Sequence, residues 1–246
     1  MRIAIFLTGL CMLGLPLQAA THEIWVTASA HVAGGFDSNW RTDVHVFNGG
    51  SQTAAVSVFF LQSGPDNSAA NLARPPAAVE VPAGGQIRVG DILSSLFGLT
   101  SASGSLLFSS EQPIQVVSRT YNKLEKGEYG QFIGGVPASQ ALAQARLVGA
   151  VGTGGFRTNL GFVNPSRTAA ASVTLAFLDG KGTALASAPL TLQPFTHIQY
   201  NDLFATFGLT PQDPVTAHYT SGVPVLGYLS VADNITNDPI YIPGQP

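Results

Sequence analysis

Short runs in which every second residue is apolar recur along the chain. Val44 and Val46 alternate with Asp43 and His45, and Val56, Val58 and Phe60 with Ser57 and Phe59. Ile114 and Val116 flank Gln115, and Val173, Leu175 and Phe177 interleave with Thr174 and Ala176. A period of two, rich in β-branched and aromatic residues, predicts strands with one buried face. Turn chemistry punctuates the runs: Asn48-Gly49-Gly50-Ser51, Asn164-Pro165-Ser166, Pro82-Ala83-Gly84-Gly85 and the tight Asp179-Gly180-Lys181-Gly182. The charged stretch Lys123–Glu128 reads as a solvated hairpin tip, and Gly152-Thr153-Gly154-Gly155 as a hairpin loop ahead of a strand. Two stretches break the period. Residues 91–97 and 202–207 each open on an Asp suited to capping, carry apolar residues at one-turn spacing and stop at Gly98 or Gly208, which predicts one short helix at each place.

The same order of blocks occurs twice. Arg41–Asn48 aligns with Arg157–Asn164, Ala54–Leu61 with Ala171–Leu178, Val81–Asp91 with Leu192–Asp202, and Phe97-Gly98-Leu99 with Phe207-Gly208-Leu209. The register drifts by a few residues only at Gly, Pro and Ser, where loops tolerate insertion. An internal duplication follows, with one copy over 25–136, a second over 145–246, and a joint at 137–144 that reads equally as a short helical turn or an extended linker. About seven short strands and one helical turn per copy predict an all-β chain of two tandem immunoglobulin-like β-sandwiches.

Residues 1–20 belong to a different pattern. Arg2, an apolar run to Leu15, Pro16 and the small pair Ala19-Ala20 read as a signal peptide, since the run falls short of the roughly 20 residues that span a bilayer. Cleavage would export the chain to the periplasm or the outside and remove Cys11, the sole cysteine, so the two sandwiches would have to hold together by burial without disulfides. Only 10% of the 246 residues are charged, and the 11 Lys and Arg stand against 14 Asp and Glu for a net charge of −3. That balance offers polyanions no footprint and argues against nucleic acid.

The leader, the motifs Trp40-Arg41-Thr42-Asp43 and Arg157-Thr158-Asn159, the run Ser118-Arg119-Thr120-Tyr121-Asn122 and the terminal Asp233–Pro239 together resemble secreted bacterial tandem β-sandwich proteins of unassigned function. The resemblance implies fold and export over nearly the whole exported chain and implies no activity.

Candidate chemistry is sparse. Arg41 and Asp43 recur as Arg157 and Asn159 in the second copy, and Trp40 adjoins the first pair. Either Arg could fork onto a carboxylate, sulfate or sugar acid, or each could tie a strand to its neighbouring loop. Calcium is the one cofactor the loops suggest, at Asp37-Ser38-Asn39 with Asp43 and at Asp233-Asn234 with Asn237-Asp238, although Asp/Asn-rich turns also arise for conformational reasons. The five histidines, His22, His31, His45, His197 and His218, share no zinc-ligand spacing, and no nucleophile elbow or phosphate loop is present. Trp25, Trp40, Tyr121, Tyr129, Tyr200, Tyr219, Tyr228 and Tyr241 could form either a sugar-stacking platform or core. The expectation is a secreted, non-catalytic module for an extracellular polymer or protein, able to self-associate through an uncovered strand edge. The alternative is a secreted polysaccharide hydrolase with its site between the copies.

Overall fold

The structure, a computed structural model, describes residues 21–246. The signal peptide expected over residues 1–20 lies outside the described residues. The chain is all-β. Its first part contains β1 (His22–Ala33), β2 (Asn39–Asn48), β3 (Ala54–Gln62), β4 (Ala77–Val81), β5 (Gln86–Val89), β6 (Ala102–Ser110), β7 (Ile114–Leu124), β8 (Gly127–Gly134) and β9 (Val136–Pro137). Two short helices, α1 (Ser68–Ala73) and α2 (Ile92–Ser95), interrupt them, one more than the single helix expected in this copy. The second part contains β10 (Leu142–Ala150), β11 (Phe156–Asn164), β12 (Ala171–Asp179), β13 (Ala184–Leu192), β14 (Thr196–Tyr200), α3 (Leu203–Thr206), β15 (Val215–Asp233) and β16 (Pro239–Pro243).

Strand pairing segregates by part. In the first, β4-β3-β6-β1 with β9 makes one layer and β5-β2-β7-β8 the other. β1 passes from the first layer to the second after a register shift between Val26 and Ser29. In the second, β13-β12-β15-β10 makes one layer and β14-β11-β15-β16 the other. The long β15 serves both, with its early residues in the first and its late residues in the second. Alternating side chains fill the space between layers, which is the physical content of the period-two pattern. One core gathers Val44, Val46, Val56, Val58, Phe60, Leu106 and Phe108, the other Leu160, Phe162, Val173, Leu175, Phe177 and Tyr219.

The predicted helices form at α2 and α3, but their first residues behave differently from a cap pair. Asp202 accepts the Ala205 amide at 3.2 Å, whereas the Asp91 carboxylate makes no cap. Both residues have positive φ (44° and 54°). At Asp91 the carboxylate instead meets His31 Nδ1 at 2.8 Å and Arg41 Nε at 3.3 Å. Gly152–Gly155 also departs from expectation. It carries the chain from β10 in one layer to β11 in the other, and those two strands do not pair, so it is a crossover and not a hairpin. The joint at 137–144 is mostly structured: Pro137 pairs with Ile24, residues 138–140 make a single 3₁₀ turn, and Leu142 already pairs with Val225.

The two parts share a third apolar cluster. Trp25, Leu61 and Leu107 meet Val163, Phe195 and Leu226, with Trp25 edge-on to Phe195 at 5.7 Å. Polar contacts run around it: Ser68 Oγ to the Pro194 carbonyl at 2.6 Å, Thr27 to Tyr241 Oη at 2.6 Å, and Ser230 Oγ to Gln131 Oε1 at 3.2 Å.

Candidate functional site: the cleft between the two parts

Beside that cluster a cleft of about 630 Å³ opens, a size within the roughly 300–1,000 Å³ range of small-molecule sites. The loop joining β1 to β2 forms one wall. Phe36 and Asp37 there both take left-handed backbone (φ 56°), Phe36 is exposed, and Trp40 at the start of β2 is half-buried. Opposite stand Phe156, Arg157 and Asn159 of β11, His197 and Gln199 of β14, and the turn Asn201-Asp202 before α3.

Three of the five candidate residues therefore converge on one cavity: Trp40, Arg157 and Asn159. Arg41 and Asp43 do not line it. Arg41 donates to the Trp40 carbonyl at 2.6 Å and pairs with Asp91, while Asp43 accepts the Asp91 amide at 2.8 Å, Arg88 Nη2 at 2.5 Å and Tyr121 Oη at 3.3 Å. Burial pushes the Asp43 carboxyl up. The Asp91 amide and the Arg88 guanidinium more than offset this and hold it below the usual carboxylate range. Burial, with the Asp43 charge, pushes Tyr121 up to about 12. Asn159 repeats the structural half of this role, its Oδ1 accepting the Asp202 amide at 3.1 Å.

Arg157 is spent inside the protein. Its guanidinium donates to Asn234 Oδ1 at 2.9 Å, Asn237 Oδ1 at 2.7 Å and the Asp233 carbonyl at 3.4 Å, and stacks over Phe36 with 4.9 Å to the ring centre. Burial lowers its pKa, partly countered by the Asp233 charge. Because Asn237 Nδ2 also donates to the Phe36 carbonyl at 2.8 Å, this corner fastens the β1–β2 loop to the second part. Three of the oxygens offered for calcium are engaged in the same way: Asp233 Oδ1 caps the Ile235 and Thr236 amides, and the Asn234 and Asn237 oxygens face Arg157. Asp43, expected beside Asp37–Asn39, turns its carboxylate to Arg88.

The cleft floor holds residues that the sequence left unremarked as a group. Tyr228 Oη donates to Gln199 Oε1 at 2.9 Å and lies 2.9 Å from His197 Nε2. His197 is 2% exposed, and burial drives its pKa down to about 3, so the ring is neutral. Tyr228 is raised well above its ordinary pKa by burial, with Tyr241 adding to it. The sequence signal was Gly161, where His45 stands in the aligned block: the Tyr228 ring lies against Gly161 where a Cβ would sit. Of the aromatic residues singled out, Trp25, Tyr121, Tyr219 and Tyr228 are buried, Tyr200 and Tyr241 half-buried, and Tyr129 exposed. His31 pairs with Asp91, and His45 is a half-buried strand residue within 3.1 Å of Gln86 Nε2.

No protein-family model and no curated protein matches the chain. Among solved structures, Thermotoga maritima 1070 is 14% identical with a TM-score of 0.35, over 46% of this chain and 91% of that one. A Bacteroides uniformis beta-glucuronidase is 9% identical with a TM-score of 0.18, over 90% of this chain and 26% of that one. The chain thus spans about a quarter of the glucuronidase's length. At these scores neither likeness bears on what the chain does.

Proposed function

We propose that the chain is an exported, non-catalytic binding module of two duplicated immunoglobulin-like sandwiches, akin to secreted bacterial tandem β-sandwich proteins, and that it captures an extracellular polymer in the cleft between them. The cleft carries the reading: aromatic Phe36, Trp40 and Phe156 line one cavity together with the amides of Asn159, Gln199 and Asn201. Large concave sites at the joint of two units, apolar with a few convergent polar groups, are where ligands bind. Duplication is supported by matching pairings, β3 with β4 and β6 as β12 with β13 and β15, and by matching networks. Asn48 Nδ2 donates to the carbonyls of Gln52, Val81 and Pro82, as Asn164 Nδ2 does to those of Ala169, Leu192 and Gln193.

Binding is favoured over hydrolysis because Asp202 is the one carboxylate among the described residues that line the cleft. Glycoside hydrolysis sets two carboxyl groups about 5–9.5 Å apart across the bond. Self-association is supported by β13, a nine-residue strand without a charged side chain that among the described residues pairs only with β12, its outer edge interrupted at Pro189.

The test is co-sedimentation of residues 21–246 with insoluble cell-wall and matrix polysaccharides. The proposal expects retention that Trp40→Ala abolishes without any release of soluble sugar. Turnover of the polymer, or retention indifferent to Trp40, contradicts it. Sedimentation velocity over a concentration series checks self-association.

A further inference from the structure

Three of the six non-glycine residues at positive φ among the described residues meet at one corner of the cleft: Phe36 and Asp37 (both 56°) in the β1–β2 loop, and Asn237 (58°). Left-handed backbone suits glycine and strains a bulky side chain. The loop at the same place in the second part, between β10 and β11, also runs two consecutive residues at positive φ, and both are glycine, Gly154 and Gly155. Phe36 thus stands where a glycine would hold the turn without strain, so the turn does not account for it. Nor does the core, since the residue is 57% exposed.

What the ring does is reach across to the second part. The Arg157 guanidinium lies 4.9 Å from its centre, and Asn237 Nδ2 donates to the Phe36 carbonyl at 2.8 Å while Asn237 Oδ1 accepts from Arg157 at 2.7 Å. The other hydrogen bonds of residues 34–38 among the described residues stay within the loop: the Gly34 amide to the Ser38 carbonyl at 2.8 Å, and the Ser38 amide and Oγ to the Gly35 carbonyl at 3.3 and 2.8 Å. Its stems are fixed by the Ala33–Asn39 pair and by the Asn39 amide on Asn122 Oδ1 at 2.7 Å. A strained five-residue span between rigid stems, pinned at its tip by one stacked ring and one hydrogen bond, has two arrangements, pinned and sprung. The pinned loop also covers Trp40. A Cβ at Gly34 would come within 2.7 Å of the indole Nε1 and 2.9 Å of Cδ1, so the loop backbone lies directly on the ring edge.

We infer that the β1–β2 loop is a gate on the cleft, held shut by the Phe36–Arg157–Asn237 latch and driven open by its own backbone strain. This rests on the cleft being the binding site proposed above. Opening uncovers the Trp40 indole, and closing returns the loop over it. Because the latch joins protein groups to one another, it acts on entry and exit alike, and so on the rates of polymer capture and release more than on affinity.

Acrylamide quenching reads the gate without a ligand. The chain has two tryptophans and Trp25 is fully buried, so quenching of residues 21–246 reports Trp40, with Trp40→Phe supplying the residual Trp25 signal. Phe36→Ala removes the ring at an exposed position, and Asn237→Gly keeps the left-handed backbone while removing the amide. Each should raise the Trp40 quenching constant at least twofold. Asp37→Gly eases the strain and keeps the latch, so it should leave quenching at or below the wild-type value. Loading onto and release from insoluble cellulose, xylan, mannan and chitin give the second readout. Phe36→Ala should do both at least three times faster, with the fraction retained at equilibrium changed less than twofold. Unchanged quenching in either latch variant, or equal opening in Asp37→Gly, overturns the gate and leaves the cleft as the binding site. Faster release alone with lower retention does the same, because Phe36 would then be only a wall contact. Retention that Trp40→Ala leaves intact, or retention on none of the four polymers, removes the binding site and the gate with it.

Discussion

Asn48→Ala and Asn164→Ala form the sharpest paired perturbation the fold offers. Each side chain is fully buried at the end of a strand. The Asn48 amide donates into three carbonyls at 2.8, 3.0 and 3.2 Å and accepts the Gly50 amide at 2.8 Å. The Asn164 amide donates into three at 2.9, 3.1 and 3.1 Å and accepts the Ser166 amide at 3.1 Å. Two N–H groups shared among three carbonyls plus one accepted bond amount to about three hydrogen bonds of about 1 kcal/mol each, with a further cost for the buried carbonyl left behind. The loss should be about 3–4 kcal/mol at either site. For a chain of this length that lowers Tm by roughly 6–16 °C. Urea unfolding of the two single variants and the double variant measures it. The networks lie in separate parts, so the losses should add within about 0.5 kcal/mol. A cost below about 1 kcal/mol at either site, or losses that differ between the sites by more than about 2 kcal/mol, would refute the claim that the two turns are energetic equivalents.

Other outcomes follow from the interface and the floor. Trp25→Ala removes the indole that packs on Phe195 between the parts. It should cost about 3–5 kcal/mol and split a single thermal transition into two, measured by calorimetry. The His197 ring stays neutral to about pH 3 when folded, whereas an unfolded histidine takes a proton near 6.5. The unfolded state alone gains that proton as pH falls, so stability should decline from pH 6.5 downward by about 1 kcal/mol per unit. Comparing urea midpoints with His197→Phe should show that slope removed, and identical slopes would contradict the buried, neutral ring. Gly161→Ala would drive a Cβ into the Tyr228 ring. It should cost about 1–3 kcal/mol, read from the urea midpoint, and an unchanged midpoint would contradict the close seat of the Tyr228 ring on Gly161.

How much of this was legible in the sequence depends on the range of the interaction. Period-two patterning located β2, β3, β7 and β12 because alternation is a local consequence of a pleated strand with one face buried. The charged turn at Glu125-Lys126 was legible for the same reason: its residues decide it, and it joins β7 to β8 in hairpin register. The fate of Asp91 was not, because His31 and Arg41 approach it from other strands and out-compete a local cap. Gly152–Gly155 looked like a hairpin because glycine marks a turn but not the layer its flanking strands will join. Likewise Trp40, Arg157 and Asn159 could be picked out as residue types, while their convergence depends on how the β1–β2 loop docks through Phe36 and Asn237. His197 carried no local signature at all, since its role comes from Tyr228, Gln199 and burial.

Hydrogen–deuterium exchange on residues 21–246, with and without the polysaccharide that retains the protein, tests the cleft most directly. Slowed exchange confined to peptides covering 28–40, 152–159 and 197–204, on both sides of the joint, is the predicted result. Protection elsewhere, for instance along β13 alone, or protection of one wall without the other, would contradict it.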